Sequence, residues 1–191
     1  NWWEVFEGFL VDYFEIEEQV LFPYIETKFQ LERTKLSKAE RNLIKGRLTQ
    51  AMNQIDDMED TFMNRPPGEV LPRFVDFLDA FAPRLLGYFH IENTVIPNAL
   101  QKYFEPEDRA RIQALVFDFL KTREFGNETL VLQSRWLTEN HLKTWKQETL
   151  RGTSRVAYPM WRAKLEKVHG AVVREFKQIS LEEELHALGD T

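Results

Sequence analysis

The chain has 191 residues, of which 43% are hydrophobic and 13% aromatic, enough for one domain, or one domain with an extension, around a full core. Lys and Arg number 25 against 31 Asp and Glu, a net charge of -6, which argues against nucleic acid as the main partner because a phosphate backbone needs a basic face. The absence of cysteine excludes disulfides, thiolate metal sites and cysteine nucleophiles, and no apolar run approaches the roughly 18–20 residues of a membrane span.

The periodicity is helical almost throughout. Phe6, Leu10, Tyr13, Glu17, Val20 and Tyr24 recur at spacings of three and four, predicting a helix over about residues 2–30 with Pro23 near its end. Asn1-Trp2-Trp3 opens the chain without Met and already in this pattern, so a preceding segment is expected to be missing. A capping box, Ser37 with Glu40, starts the second helix, whose stripe is Ile44, Leu48, Ala51, Met52, Ile55, Met58 and Phe62. Asn64-Arg65-Pro66-Pro67-Gly68 ends it. The third helix is expected from about Glu69 to Phe104, with Val75, Leu78, Phe81, Leu85, Tyr88, Glu92, Val95 and Ala99 inward and a kink or break at Pro83 and Pro97. Pro106, followed by Glu107 and Asp108, opens a fourth helix that buries Ile112, Leu115, Val116 and Phe119. Gly126-Asn127 should break it, with Asn127 capping a fifth helix to about Leu150. After the loop Arg151-Gly152-Thr153-Ser154, a last helix is expected at about 159–187, carrying Trp161, Leu165, Val168, Val172, Phe176 and Ile179, with Gly170 and Ser180 as weak points. No strand pattern appears, so the class is all-α, most simply a helical bundle.

One motif occurs twice. Tyr13-Phe14-Glu15-Ile16-Glu17-Glu18-Gln19-Val20 is repeated as Tyr88-Phe89-His90-Ile91-Glu92-Asn93-Thr94-Val95, and Phe29 and Phe104 keep the same offset. Each copy sets a Tyr and a Glu four residues apart on one helical face, beside apolar neighbours that turn the face inward. A buried carboxylate with nothing to answer it costs several kcal/mol, so Glu17 and Glu92 each require a proton, a hydrogen-bond donor or a metal. Glu15, Glu18 and Asn93 point elsewhere.

These residues carry a resemblance. Tyr13-Phe-Glu-Ile-Glu17-Glu-Gln-Val-Leu-Phe-Pro23 and Tyr88-Phe-His-Ile-Glu92-Asn-Thr-Val-Ile-Pro97, with Phe77-Leu-Asp-Ala-Phe-Ala-Pro-Arg-Leu-Leu86 before the second, resemble the hemerythrin-like, or HHE cation-binding, domain family. The family is a four-helix bundle with a repeated His-x-x-x-Glu pair. The resemblance covers about residues 2–104 and implies a hemerythrin-like bundle type with additional C-terminal helices. It carries over Glu17 and Glu92 as the bridging-type glutamates, but puts Tyr13 and Tyr88 where ligand histidines belong. The helix at 38–63 has no His, and none occurs before His90. Three outcomes follow: a hemerythrin-type di-iron centre, an oxygen-only iron site of Tyr13, Glu17, Tyr88 and Glu92, or a polar network in which each Tyr hydroxyl donates to a Glu.

Other candidates are weaker. His90 lies about 200° around the helix from Tyr88 and should point away from the Tyr–Glu stripe. Glu166–His169 and Glu183–His186 have the spacing of ferritin-like ligands but fall near one C-terminal helix, with His169 only at the edge of its stripe. Asp56, Asp57, Glu59 and Asp60 read as a solvated face rather than a calcium loop. Asn127-Glu128-Thr129 matches a glycosylation triplet common by chance. Trp2, Trp3, Trp136, Trp145 and Trp161 are more than such a core requires; core packing comes first and partner contact second. No nucleophile elbow, phosphate loop or dinucleotide fingerprint appears.

The expectation is therefore a hemerythrin-like region over 1–104 and a helical extension over 105–191 that packs on or completes the bundle. No metal and no cofactor are expected; if a metal binds, its ligands are Glu17, Glu92, Tyr13 and Tyr88, and the alternative cofactor is non-haem iron. The chain is expected to be a non-catalytic structural or protein-interaction subunit, intracellular, with other protein subunits as partners and neither nucleic acid nor a transmembrane segment.

Overall fold

A computed structural model describes residues 2–174. All regular structure among the described residues is helical. The expected continuation of the last helix past 174, with Phe176, Ile179, Ser180 and the Glu183–His186 pair, lies outside the described residues.

The elements are α1 (Trp2–Ile16), a π-helical turn (Glu17–Leu21), α2 (Phe22–Glu26), a short 3-10 turn (Leu31–Arg33), α3 (Lys38–Asn64), α4 (Pro67–Tyr103), α5 (Pro106–Leu120), α6 (Gly126–Ser134), α7 (Glu139–Thr149), α8 (Thr153–Leu165) and a second π-helical turn (Glu166–Gly170). They form two compact units, residues 2–20 with 110–174 and residues 21–109. Neither unit coincides with residues 1–104: α1 packs with α6, from the region expected as an extension.

In the first unit α6 also packs on α8. Ile16, Phe117, Leu120, Leu130, Val131, Leu142, Leu150, Tyr158 and Leu165 form its core, with Trp145 and Trp161 packed against them. Tyr158 is held by a 2.6 Å hydrogen bond with Ser134. In the second unit α3 and α4 are joined through Arg65-Pro66 and pack along each other as a helical hairpin. Leu48, Ala51, Met52, Ile55 and Met58 of α3 are buried, as are Phe81, Leu85, Tyr88, Glu92 and Ala99 of α4.

Several local expectations are met. The Ser37 side chain accepts from the Glu40 amide at the start of α3. Pro106 opens the helix over 106–120.

Others are corrected. Pro72, Pro83 and Pro97 all lie inside one continuous α4. Each proline frees the carbonyl four residues earlier. Those carbonyls belong to Gly68, Asp79 and Asn93, which are exposed, so they are open to solvation and the helix continues past each proline without a break. Val75 is exposed, and in α5 Phe117 and Leu120 are buried where Leu115 is exposed. The expected fifth helix is two, because Thr138 caps α7 by accepting from the His141 amide, and Asn127 lies inside α6 rather than capping it. The last helix begins at Thr153, after Gly152 at φ 56, and Pro159 is interior to it.

The first helix is corrected in register. A π-helical turn holds one extra residue, which advances every later side chain by about 100°. Leu10 and Phe14 are buried before it and Phe22 and Ile25 after it, whereas an unbroken stripe would have continued to Val20 and Tyr24. Pro23 supplies the cause: its ring would crowd the Gln19 carbonyl in a regular helix, and Gln19 lies in the middle of the widened turn.

Candidate functional site

The two Tyr–Glu pairs fall in different units. In the first, Glu17 begins the π-helical turn and is 1% exposed, and Tyr13 lies one turn earlier on α1. Burial pushes the Tyr13 phenol well above its ordinary range, and the neighbouring Glu17 charge pushes it the same way, so the phenol is neutral and a donor at ordinary pH.

In the second unit Tyr88 is 1% exposed and Glu92 is 5% exposed, one turn apart on α4. Facing them is a cationic group from α3. Lys45 Nζ lies 5.6 Å from the centre of the Tyr88 ring and 5.0 Å from that of Phe22. The Arg41 guanidinium lies 4.2 Å from the Phe22 ring centre and donates to the Leu36 carbonyl at 2.6 Å, although Arg41 is buried. The second pair therefore shares its face with a cation rather than with a histidine. Among the described residues no group of three or more His, Asp or Glu side chains is placed to hold a metal ion.

The ends of the two repeats meet within the second unit. Tyr24 packs on Phe104 at 5.8 Å, and Phe29 on Tyr103 at 5.3 Å. Lys28 lies over the Phe104 ring and bonds Asp108, which also accepts from the Tyr24 hydroxyl. That hydrogen bond to Lys28 holds the Asp108 carboxyl below its ordinary range. Phe29 and Phe104 thus each pack on an aromatic ring from the end of the other repeat.

His90 is exposed, and so are Asn93 and Asp57. His169 is buried in the second π-helical turn, not at the edge of a stripe, and burial lowers its pKa. Trp136 is 80% exposed, Trp3 is buried, and Trp145 and Trp161 pack on the first unit's core.

Sequence reasoning missed a buried charged network in the first unit. Asp12, 3% exposed, accepts from Arg123 Nε at 2.9 Å and from the Thr129 hydroxyl at 3.0 Å. Arg123 also reaches Glu15 at 2.8 Å. No short-range pattern announces these partners. It also missed Arg41 and Lys45, which stand one turn apart on α3 and both lie over the Phe22 ring.

No family model matches the chain, and neither a curated protein nor a solved structure matches it.

Proposed function

We propose that this is a hemerythrin-like, four-helix-bundle-type protein whose metal site has been replaced, acting as a non-catalytic structural or protein-interaction subunit. The observation that carries the reading is the placement of Lys45 over Tyr88, on the helical face that Tyr88 shares with Glu92. A fixed ammonium supplies positive charge to a buried acidic face without coordination chemistry and repels a second cation. The Tyr13 phenol, kept neutral by burial and by the Glu17 charge, supports the same reading, since a neutral phenol is a weaker metal ligand than a phenolate. The reading carries with it an intracellular location, protein rather than nucleic-acid partners, and no cofactor. No described helix is long and apolar enough to cross a membrane.

Metal analysis of protein produced with added iron tests it. The expected result is substoichiometric iron and no visible charge-transfer band; one iron or more per chain with such a band overturns it. The second reading is a non-haem iron protein that handles oxygen, peroxide or nitric oxide, or senses iron, through Glu17, Glu92, Tyr13 and Tyr88. It is favoured by the burial of both glutamates. It requires Glu17→Ala with Glu92→Ala to abolish metal binding, whereas the structural reading requires only a change in stability.

A further inference from the structure

We propose that a groove in the second unit, running from the Phe29–Tyr103 ring pair past Arg33 to Lys35, binds an acidic polypeptide segment that carries apolar side chains. This names the partner chemistry of the subunit proposed above and rests on that reading.

Two cavities, of about 440 and 610 Å³, share Arg33 and Thr34 in their walls and so adjoin at those residues. Its first part is bounded by Lys28, Phe29 and Tyr103, its second by Lys35, Ile44 and Ile91. Tyr103 is 41% exposed, so the ring pair presents an open apolar platform. Lys102 Nζ lies 5.1 Å from the Tyr103 ring centre and adds positive charge at that end.

The charge is distributed, not converged. Lys28 is already bonded to Asp108. Arg33 and Lys35 are exposed and follow one another along the groove, and among the described residues neither is bonded to a carboxylate. In a chain of net charge -6 this is a local reversal of sign. A single small anion would fill neither cavity and would need the cations gathered on one point. A nucleic-acid strand would place phosphates at every step, including against Glu40 in the second cavity. A peptide in which carboxylates alternate with apolar residues matches what the two adjoining cavities offer together: an aromatic platform in the wall of one, Arg33 in the walls of both, and Lys35 with Ile44 and Ile91 in the wall of the other.

The test uses the full chain in metal-free buffer and a fluorescein-labelled decapeptide in which Glu and Asp alternate with Leu and Trp. The expected result is saturable binding that weakens as salt is raised. Arg33→Glu with Lys35→Glu should weaken it about tenfold, and Tyr103→Ala severalfold, with the helical circular dichroism retained. Lys143→Glu, an exposed charge change in the other unit, should leave it unchanged. Absent binding, an undiminished affinity in the double variant, or tighter binding of an oligothymidylate or of phosphatidylserine vesicles overturns the proposal. Iron measured on the same samples separates the two readings. Stoichiometric iron with peptide bound overturns the metal-free subunit and leaves the groove; no iron and no peptide overturns the groove alone.

Discussion

Asp12 and Arg123 stand 111 residues apart and form an ion pair at 2.9 Å, with the carboxylate almost wholly removed from water. The geometry explains how α1 is tied to the helices beyond residue 110. Asp12 spends one oxygen on the guanidinium and the other on Thr129, so both are answered inside the first unit. Removing one partner of such a group leaves the remainder desolvated and unmatched. Asp12→Ala should therefore lower unfolding stability by about 2–3 kcal/mol, reduced from the fully buried case because Arg123 keeps partial access to water. Thr129→Val should cost about 1 kcal/mol. A double-mutant cycle with Arg123→Met, read by urea denaturation, should give a coupling of about 1–2 kcal/mol; additive losses would show that the pair is not energetically joined.

Lys45 makes a different prediction because its ammonium serves two rings. Lys45→Met keeps the aliphatic stem and removes the charge over Phe22 and Tyr88. The expected loss is about 1 kcal/mol of stability. The same variant discriminates between the functional readings. If the acidic face is an iron site, deleting a nearby positive charge should raise iron uptake; if it is a replaced site, stability falls and iron content does not change. Parallel denaturation curves and iron determinations on wild type and Lys45→Met decide it.

The sequence was most legible where local chemistry acts alone. The Ser37–Glu40 cap, Pro106 as a helix start and the α4 stripe through Phe81, Leu85, Tyr88 and Glu92 depend on neighbours within a few residues. The register beyond Pro23 was not legible, because the periodic pattern assumes a regular helix and the π-helical turn adds a residue to it. Thr138 was overlooked as a cap because the apolar pattern runs on across it. The candidate residues Glu17, Glu92 and Tyr88 emerged from the repeat, and all three are buried. Their surroundings did not, since Lys45 reaches Tyr88 only through the α3–α4 hairpin; nor did the partner of Asp12, because Arg123 lies 111 residues further along the chain.

His169 makes stability depend on pH. Burial lowers its pKa in the folded chain; Lys164 acts in the same direction and Glu128 against it. A histidine whose folded pKa lies below the unfolded value, about 6.5, gives full stability above that value. As the pH falls from that value toward the folded pKa, the unfolded chain binds a proton that the folded chain does not, and stability is lost until the pH has passed through the folded pKa. The urea midpoint should fall between about pH 7.5 and about pH 5.5. His169→Gln should flatten part of that decline. An identical pH dependence in the variant would assign the decline to other groups.

Gly8 and Gly126 are both crowded, yet replacing them should have unequal consequences. A Cβ on Gly8 would meet the Phe125 ring at 2.5 Å, whereas one on Gly126 would lie 1.8 Å from the Leu120 carbonyl oxygen. The first obstacle is a side chain, which can rotate or shift. The second is backbone, at the C-terminal end of α5, and the chain between Leu120 and Gly126 is closed by hydrogen bonds from Arg123 N to the Leu120 carbonyl and from Gly126 N to the Arg123 carbonyl. Relief at Gly126 requires the whole turn to open, disturbing Leu120 and Leu130 in the first unit's core. Gly8→Ala should cost about 1–2 kcal/mol, and Gly126→Ala about 3 kcal/mol or more. Thermal unfolding of both variants, with Gly46→Ala as a control where nothing lies near the added methyl, tests the order. The control should be neutral or slightly stabilising, since alanine is the better helix former. A Gly126→Ala protein as stable as Gly8→Ala would mean that the α5–α6 turn is less closely packed than its backbone geometry requires.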